Sequence, residues 1–313
     1  MQKLLQNKWT IAFFVLPALV VYVFVVPLPV FESIYDSFFN WDLISPMKFV
    51  ALKNYIELFV SDPFFYLILK NTVIFTIVCI VLQLPLAMLL AYWLQDRKLF
   101  ASKFFRNVFF LPTVLSGTAI GILWQFLYQP QIGLINVVIR MLGFTNFSKA
   151  WLADPTFAIY AVAFCVSWQF FGYHMVIYLA GMSTVPHEVI ESARMDGANG
   201  WNTFRFVTFP MMRPFVQISV VLITTSSLKV FDNVLALTGG GPGNDSSVLS
   251  LYMYKNAFLY SRYGYASAIA TLLLILNVLL TLSISYAFRE REVRRRRKVM
   301  VSNGAEPHLS SIV

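Results

Sequence analysis

The residues able to carry chemistry are few and scattered. The histidines His174, His187 and His308 lie far apart, with no His-x-x-x-His or His-Glu-x-x-His spacing that would hold a zinc ion. Cys79 and Cys165 each sit inside an apolar run with no Cys-x-x-Cys partner, so both read as small buried hydrophobes. A proton- or sodium-coupled carrier usually places a carboxylate near the middle of an apolar stretch; here the nearest, Glu32 and Asp232, stand at the ends of such stretches. The run from Thr238 to Gly243, Thr-Gly-Gly-Gly-Pro-Gly, demands tight turns or close backbone approach. No Gly-Lys-Ser/Thr follows it, so it is not a phosphate-binding loop. The chain reads as neither an enzyme nor a metal or cofactor protein. It must take energy from a partner or need none.

What remains is a set of polar side chains in apolar surroundings. One run holds Trp168, Gln169, Tyr173 and His174, the next ends in Lys229, Asp232 and Asn233, and Asn71, Gln83, Gln125 and Asn277 lie elsewhere. Polar groups are expensive in lipid, so they face other helices or a cavity. Aromatic faces, amides and charges together suit a sugar, whose ring packs on the aromatics while its hydroxyls take hydrogen bonds. Hydrogen bonding between helices accounts for the same residues. Lys229 and Asp232, three apart on one helical face, also suit a local ion pair.

The elements that position these groups are membrane spans. Of 313 residues, 58% are hydrophobic and only 12% charged, which describes an all-α polytopic membrane protein. Six stretches are long enough to cross a hydrocarbon core, which takes about 20 residues each. They are Thr10 to Phe31, Asn71 to Leu94, Asn107 to Tyr128, Thr156 to Met182, Phe206 to Val230 and Ala266 to Phe288. Lys3 and Lys8 before the first run resemble a signal peptide, but the run is too long and lacks a small-residue cleavage site, so a retained first helix is expected. Pro17, Pro27, Pro29, Pro85 and Pro112 fall in or near the spans and are expected to bend them. The organisation expected is a first span with an outer loop over 1–65, a core of five spans over 66–288, and a basic tail over 289–313.

The net charge of +9 follows from topology better than from nucleic-acid binding, because the basic residues cluster at span ends and in the tail. Lys3, Lys8, Arg97, Lys98, Lys103, Arg106, Arg194, Arg205, Arg213 and the tail cations from Arg289 to Lys298 fall on one side. Lys48, Lys53, Arg140, Lys149, Lys255 and Arg262 fall on the other, with Lys70 and Lys229 at span edges. The positive-inside rule then puts both termini and the loop containing Glu191 in the cytoplasm. The tail is expected to lie on anionic lipid.

In that cytoplasmic loop, Val185 to Gly197 spells a helix of about three turns. Pro186 suits a first helical position, and Gly197 suits the left-handed position that ends a helix. Val189, Ile190 and Ala193 share one side, with Glu188, Glu191 and Arg194 spread over the rest. The piece is sized for a groove in a partner, and equally for an amphipathic connector lying on the bilayer.

These residues resemble a known family. The stretch Glu191-Ser-Ala-x-x-x-Gly197 is similar to the Glu-Ala-Ala-x-x-x-Gly signature of permease subunits of ATP-binding-cassette importers, departing at Ser192. The longer run Val185-Pro-x-Glu-x-x-Glu-x-Ala-x-x-Asp-Gly-Ala-x-x-Trp-x-x-Phe204 resembles the carbohydrate-uptake branch of the maltose and multiple-sugar type. So do Leu237 to Pro242, Tyr252-x-Tyr254, Ala257-Phe258, Leu52-Lys-Asn-Tyr55 and Asn71-Thr72. The resemblance covers nearly the whole chain.

It implies a type I importer permease fold of six transmembrane helices in a bacterial plasma membrane, with no cofactor. A coupling helix over 186–197 would present Glu188, Glu191, Ser192, Ala193, Asp196 and Gly197 to a separate ATPase subunit. The resemblance further implies a second homologous permease, an extracytoplasmic sugar-binding protein, and sugar contacts near Phe170, Tyr173, Lys229 and Asp232. Charge stands here where a maltose-type permease has uncharged amides. The alternatives are an importer of another solute, such as glycerol phosphate held by Lys229, or a non-transporting membrane scaffold or receptor with a docking helix.

Overall fold

The computed structural model describes residues 8–95, 102–144 and 148–302. Lys3, Arg97, Lys98 and His308 lie outside the described residues, and the tail from 290 to 302 is described by its backbone alone. The described residues form two compact units, one of residues up to Phe65 with Tyr252–Ile275, the other of Tyr66–Leu251 with residues from Leu276 onward.

In the first unit, α1 (Lys8–Val25) gives way to α2 (Pro27–Asp36) at Val26, where Pro27 opens the new helix at a position needing no N–H. The two together form an apolar stretch, Ile11–Asp36, of 26 residues, long enough to cross a membrane. A two-residue antiparallel pair follows, β1 (Phe39–Asn40) with β2 (Lys48–Phe49), Phe39 opposite Phe49. The motif Leu52-Lys-Asn-Tyr55 fastens it from α3 (Lys53–Ile56). Buried Asn54 donates to the carbonyls of Ser37 and Phe39 at 2.8 and 2.9 Å, and the Tyr55 hydroxyl meets Ser37 Oγ at 2.7 Å. Asp62 accepts from the hydroxyls of Tyr252 and Tyr265, and Arg262 pairs with Glu57 at 2.5 Å. Burial, and then the hydrogen bond to the Asp62 carboxylate, push the Tyr252 hydroxyl well above the ordinary tyrosine range.

The second unit holds the spans between, and the last helix starts in the first unit and ends in the second. α4 (Phe65–Leu94) is a 30-residue helix that carries Pro85 inside it. α5 (Ser102–Val114) and α6 (Gly117–Leu127) meet at a bend of 102° two residues after Pro112 ends its turn, so the expected third span is broken rather than straight. α7 (Leu134–Met141) is short, and α8 (Ala158–Met182) is a straight run of 25 residues with most of its side chains buried. α9 (His187–Met195) and α10 (Gly200–Thr203) lead through a wide helical turn over Phe204–Thr208 to α11 (Phe209–Met211). A 65° bend separates that stretch from α12 (Arg213–Leu228). α13 (Asp232–Thr238), α14 (Leu249–Tyr254), a second wide turn and α15 (Tyr263–Ser302) complete the described chain. With each bent pair taken as one span, six spans result.

The glycine run is folded inward. Gly239 ends α13 in the left-handed conformation at φ 59°, and Ser246, Ser247, Val248 and Leu249 are all buried. Two residues of α4, 177 positions away at the widest, hold this loop. Asn71 Nδ2 donates to the carbonyls of Asn244, Asp245 and Ser247 at 3.2, 2.9 and 3.3 Å, and Thr72 Oγ1 accepts from the Leu249 N–H at 3.0 Å. Ser250 Oγ donates to the Val230 carbonyl and closes the loop at its neck. Irregular backbone survives at membrane depth only when its polar groups are satisfied by the protein, and here Asn71 alone serves three carbonyls.

Candidate functional site

Two places gather the residues singled out from the sequence. The first is α9. Pro186 stands just before the helix with an extended ψ of 135°, one position earlier than expected. Gly197 is left-handed at φ 81°, and its N–H and that of Ala198 return to the carbonyls of Arg194 and Ala193 at 3.0 Å each. That double closure satisfies carbonyls that the helix end would otherwise leave free. A Cβ at Gly197 meets nothing within 4 Å, so only its backbone conformation demands glycine. Glu188, Glu191, Ser192, Asp196 and Gly197 are all exposed, Ala193 is half-buried, and no residue of α9 is fully buried. Ser192 Oγ bonds back to the Glu188 carbonyl at 2.8 Å.

α9 stands on a firm base. Val185 is buried just before it, and just after it Asn199 caps α10 by accepting from the Asn202 N–H at 2.8 Å. Tyr92 of α4 stacks against Phe204 at 4.7 Å and its hydroxyl reaches the Gly200 carbonyl at 3.4 Å. Below lies a core of Ala91, Leu94, Tyr178, Met182 and Met212, which joins the ends of α4 and α8 to the start of α12.

The second place is a cleft of ≈ 150 Å³ where α12 stops. Phe170 and Val166 line it from α8, Gln83 from α4, and Ser226, Ser227, Lys229, Asp232 and Asn233 from the break itself. The structure brings Phe170, Lys229 and Asp232 into one cleft, while Tyr173, one turn along α8, is 40% exposed and does not line it. Lys229 and Asp232 do not share a helical face. Lys229 caps α12 and Asp232 opens α13, with Val230 and Phe231 between them. Among the described residues no ion pair joins the two charges. Both side chains are exposed. Sequence reasoning missed Ser226 and Ser227; the run Thr224-Thr-Ser-Ser227 just before a lysine was the available signal.

Amides from four helices, one of them the cleft's Asn233, bond to other elements. Gln169 on α8 donates through Nε2 to the Leu115 carbonyl at 3.0 Å, and its Oε1 accepts from Asn233 Nδ2 at 2.9 Å. Asn233 Nδ2 also reaches the Gly117 carbonyl at 3.3 Å. Gln125 donates to the carbonyls of Ala236 and Leu237 at 2.7 and 3.2 Å, and Asn277 accepts from Thr225 at 3.2 Å. Asn71, Gln125, Gln169, Asn233 and Asn277, all expected within or at the ends of spans, therefore bond between elements.

A bundle of bent apolar helices with an exposed, glycine-stopped helix between spans and a polar cleft at a helix break defines a membrane transport subunit. The chain belongs to the family of binding-protein-dependent transport system inner membrane components, whose model matches residues 83–295. It is 42% identical over 269 residues to the probable ABC transporter permease protein YurN of Bacillus subtilis (strain 168), covering 85% of this chain and 91% of that one. It is 32% identical over 267 residues to the lactose transport system permease protein LacF of Rhizobium radiobacter, covering 84% and 88%. The fold matches a chain in the crystal structure of a bacterial ABC transporter involved in the import of the acidic polysaccharide alginate. The TM-score is 0.79 at 20% identity, with 92% of this chain and 98% of that one covered. The protein is a membrane-spanning ABC permease subunit.

Proposed function

We propose that this chain is the permease subunit of an ATP-driven, binding-protein-dependent importer of di- or oligosaccharides, with ATP hydrolysed by a separate ATPase subunit. The observation that carries the sugar reading is the cleft at the α12–α13 break. It sets an aromatic ring, an amide, two serine hydroxyls and opposite charges around one space, and the relative LacF is named for lactose. Small-molecule pockets run from about 300 Å³ upward, so a cleft of ≈ 150 Å³ is one wall of a site. A second homologous permease supplies the facing wall, and an extracytoplasmic sugar-binding protein delivers the substrate.

In this reading both termini and α9 are cytoplasmic, as the distribution of Lys and Arg requires. α9 is the coupling helix: Glu188, Glu191, Ser192, Ala193, Asp196 and Gly197 meet the ATPase, and closure of the ATPase dimer moves α4, α8 and α12 through the base described above. Phe170, Lys229 and Asp232 contact sugar. Tyr173 joins them from the same face of α8 as the cleft opens.

The test is the reconstituted complex with its binding protein loaded from a panel of neutral and phosphorylated solutes. Sugars are expected to stimulate ATP hydrolysis and uptake. Asp232→Ala and Tyr173→Ala are expected to impair uptake while the ATPase remains bound. Stimulation by phosphorylated solutes alone would replace the sugar with an anion held by Lys229, and unchanged uptake kinetics in both variants would remove these residues from the path.

A further inference from the structure

The amide bridge between Gln169 and Asn233 joins two interruptions of the helical bundle that are 116 residues apart in sequence. One is the α5–α6 bend at Leu115–Gly117; the other is the gap between α12 and α13. Gln169 is 1% exposed and Asn233 5%. Each donates its side-chain N–H groups to a carbonyl at the bend, Leu115 for Gln169 and Gly117 for Asn233, and Asn233 joins the two by donating to Gln169 Oε1. Further along, Gly121 lies so close to Ala236 that a Cβ there would overlap it, and Gln125 secures the carbonyls of Ala236 and Leu237. α6 and α13 are thus fastened at their start, middle and end, and Thr113 Oγ1 adds a bond to the Gln169 carbonyl at 3.1 Å. The connection from α13 back to α12 runs through Lys229, Val230 and Phe231, where the backbone leaves helical geometry at Phe231 (φ −135°, ψ −60°) and the Val230 carbonyl is held by Ser250.

We propose that Gln169 and Asn233 are positioning residues that hold α6 and α13 as one body against α8, so that α12 pivots at Lys229–Phe231 and the cleft changes shape there. The proposal rests on the transport reading given above. The residues flanking the bridge in sequence, Phe170 and Asp232, are the cleft's own walls, which makes the bridge the part that sets their spacing. A fully satisfied buried polar network has two discrete states, made or broken, and so it transmits movement rather than absorbing it. Breaking the bridge would leave buried amide groups of Gln169 and Asn233 unpaired, which penalises the broken state.

Spin-label distances in the assembled complex test this. Exposed Ile122 on α6, Leu235 on α13 and Ile218 on α12 are changed to cysteine in pairs and labelled; the two native cysteines are both fully buried. The Ile122–Leu235 pair is expected to keep one narrow distance in nucleotide-free and nucleotide-trapped complexes, while the Ile218–Leu235 pair changes. Asn233→Leu or Gln169→Leu is expected to broaden the Ile122–Leu235 distribution. The exchange of Gln169→Asn together with Asn233→Gln, which keeps the total reach of the bridge, is expected to narrow it again. A change in the Ile122–Leu235 distance on nucleotide trapping, or a distribution that stays narrow in both leucine variants, overturns the proposal. An Ile218–Leu235 distance that does not respond to nucleotide likewise overturns the pivot, whereas loss of nucleotide-driven uptake in the unlabelled parent complex would mark failure of the transport reading instead.

Discussion

α9 and α13 are both short helices that begin or end away from regular structure, and both stop on a left-handed glycine, Gly197 in one and Gly239 in the other. Their surroundings are opposite. α9 closes its own carbonyls, buries none of its residues and stays put because the segments before and after it are anchored. α13 buries Asn233, Val234 and Leu237, its neighbouring carbonyls are served by side chains from α4 and α6, and its own Asn233 donates to Gln169 of α8. The difference teaches that α9 is finished by its own residues and left exposed, whereas α13 is finished only by the rest of its own chain. Changes at α13 should therefore act on folding and on the cleft together, and changes at α9 on partnership alone.

The largest expected effect is at the loop behind α13. Asn71→Ala leaves three carbonyls, one buried and two partly buried, without their donor. Each unsatisfied buried group costs about 1–3 kcal/mol, and stability is only ~5–15 kcal/mol to begin with. The variant is expected to accumulate poorly in the membrane and to melt well below the parent in detergent. A melting temperature equal to the parent's would show that water replaces the amide and would dissolve the contrast between the two helices.

Next come Glu191→Lys and Gly197→Val. Gly197 has open space around it, so the valine is resisted by the left-handed backbone alone, about 1–2 kcal/mol. Both variants are expected to insert and melt like the parent, yet to lose transport and to release the ATPase on purification. Retained uptake in both would leave α9 as a connector on the membrane surface. The two experiments together sharpen the comparison: loss of protein at α13's loop, loss of partner at α9.

How much was legible follows the same division. The α9 helix could be read in place, because its signals are local: a proline before it, a glycine after it, and charges within reach of one another. The six apolar stretches were equally plain, since hydropathy is a property of each segment by itself. The breaks were not. Pro112 announced a bend, but the turn at Leu115–Gly117 holds only because Gln169 and Asn233 meet there from elsewhere in the chain. Lys229 and Asp232 looked like one helical face for the same reason: spacing assumes the helix continues, and what stops it is the buried loop that follows. Asn71-Thr72 and the glycine run were each visible as motifs. Their meeting across 177 residues was not.

The smallest effect is expected at Ser192, the one position where α9 departs from the signature it resembles. Its hydroxyl bonds back to the Glu188 carbonyl within an exposed helix, a bond that water supplies equally well. Alanine fits helices better than serine by roughly 0.5 kcal/mol and is small enough to meet the same partner surface. Ser192→Ala is therefore expected to leave uptake unchanged and to slow amide hydrogen exchange across α9 by a factor of about two, the amount such a difference in propensity allows. If uptake fell instead, the serine hydroxyl would be making a contact of its own with the ATPase. α9 would then carry partner selectivity in its side chains, beyond the shape that Gly197 gives it.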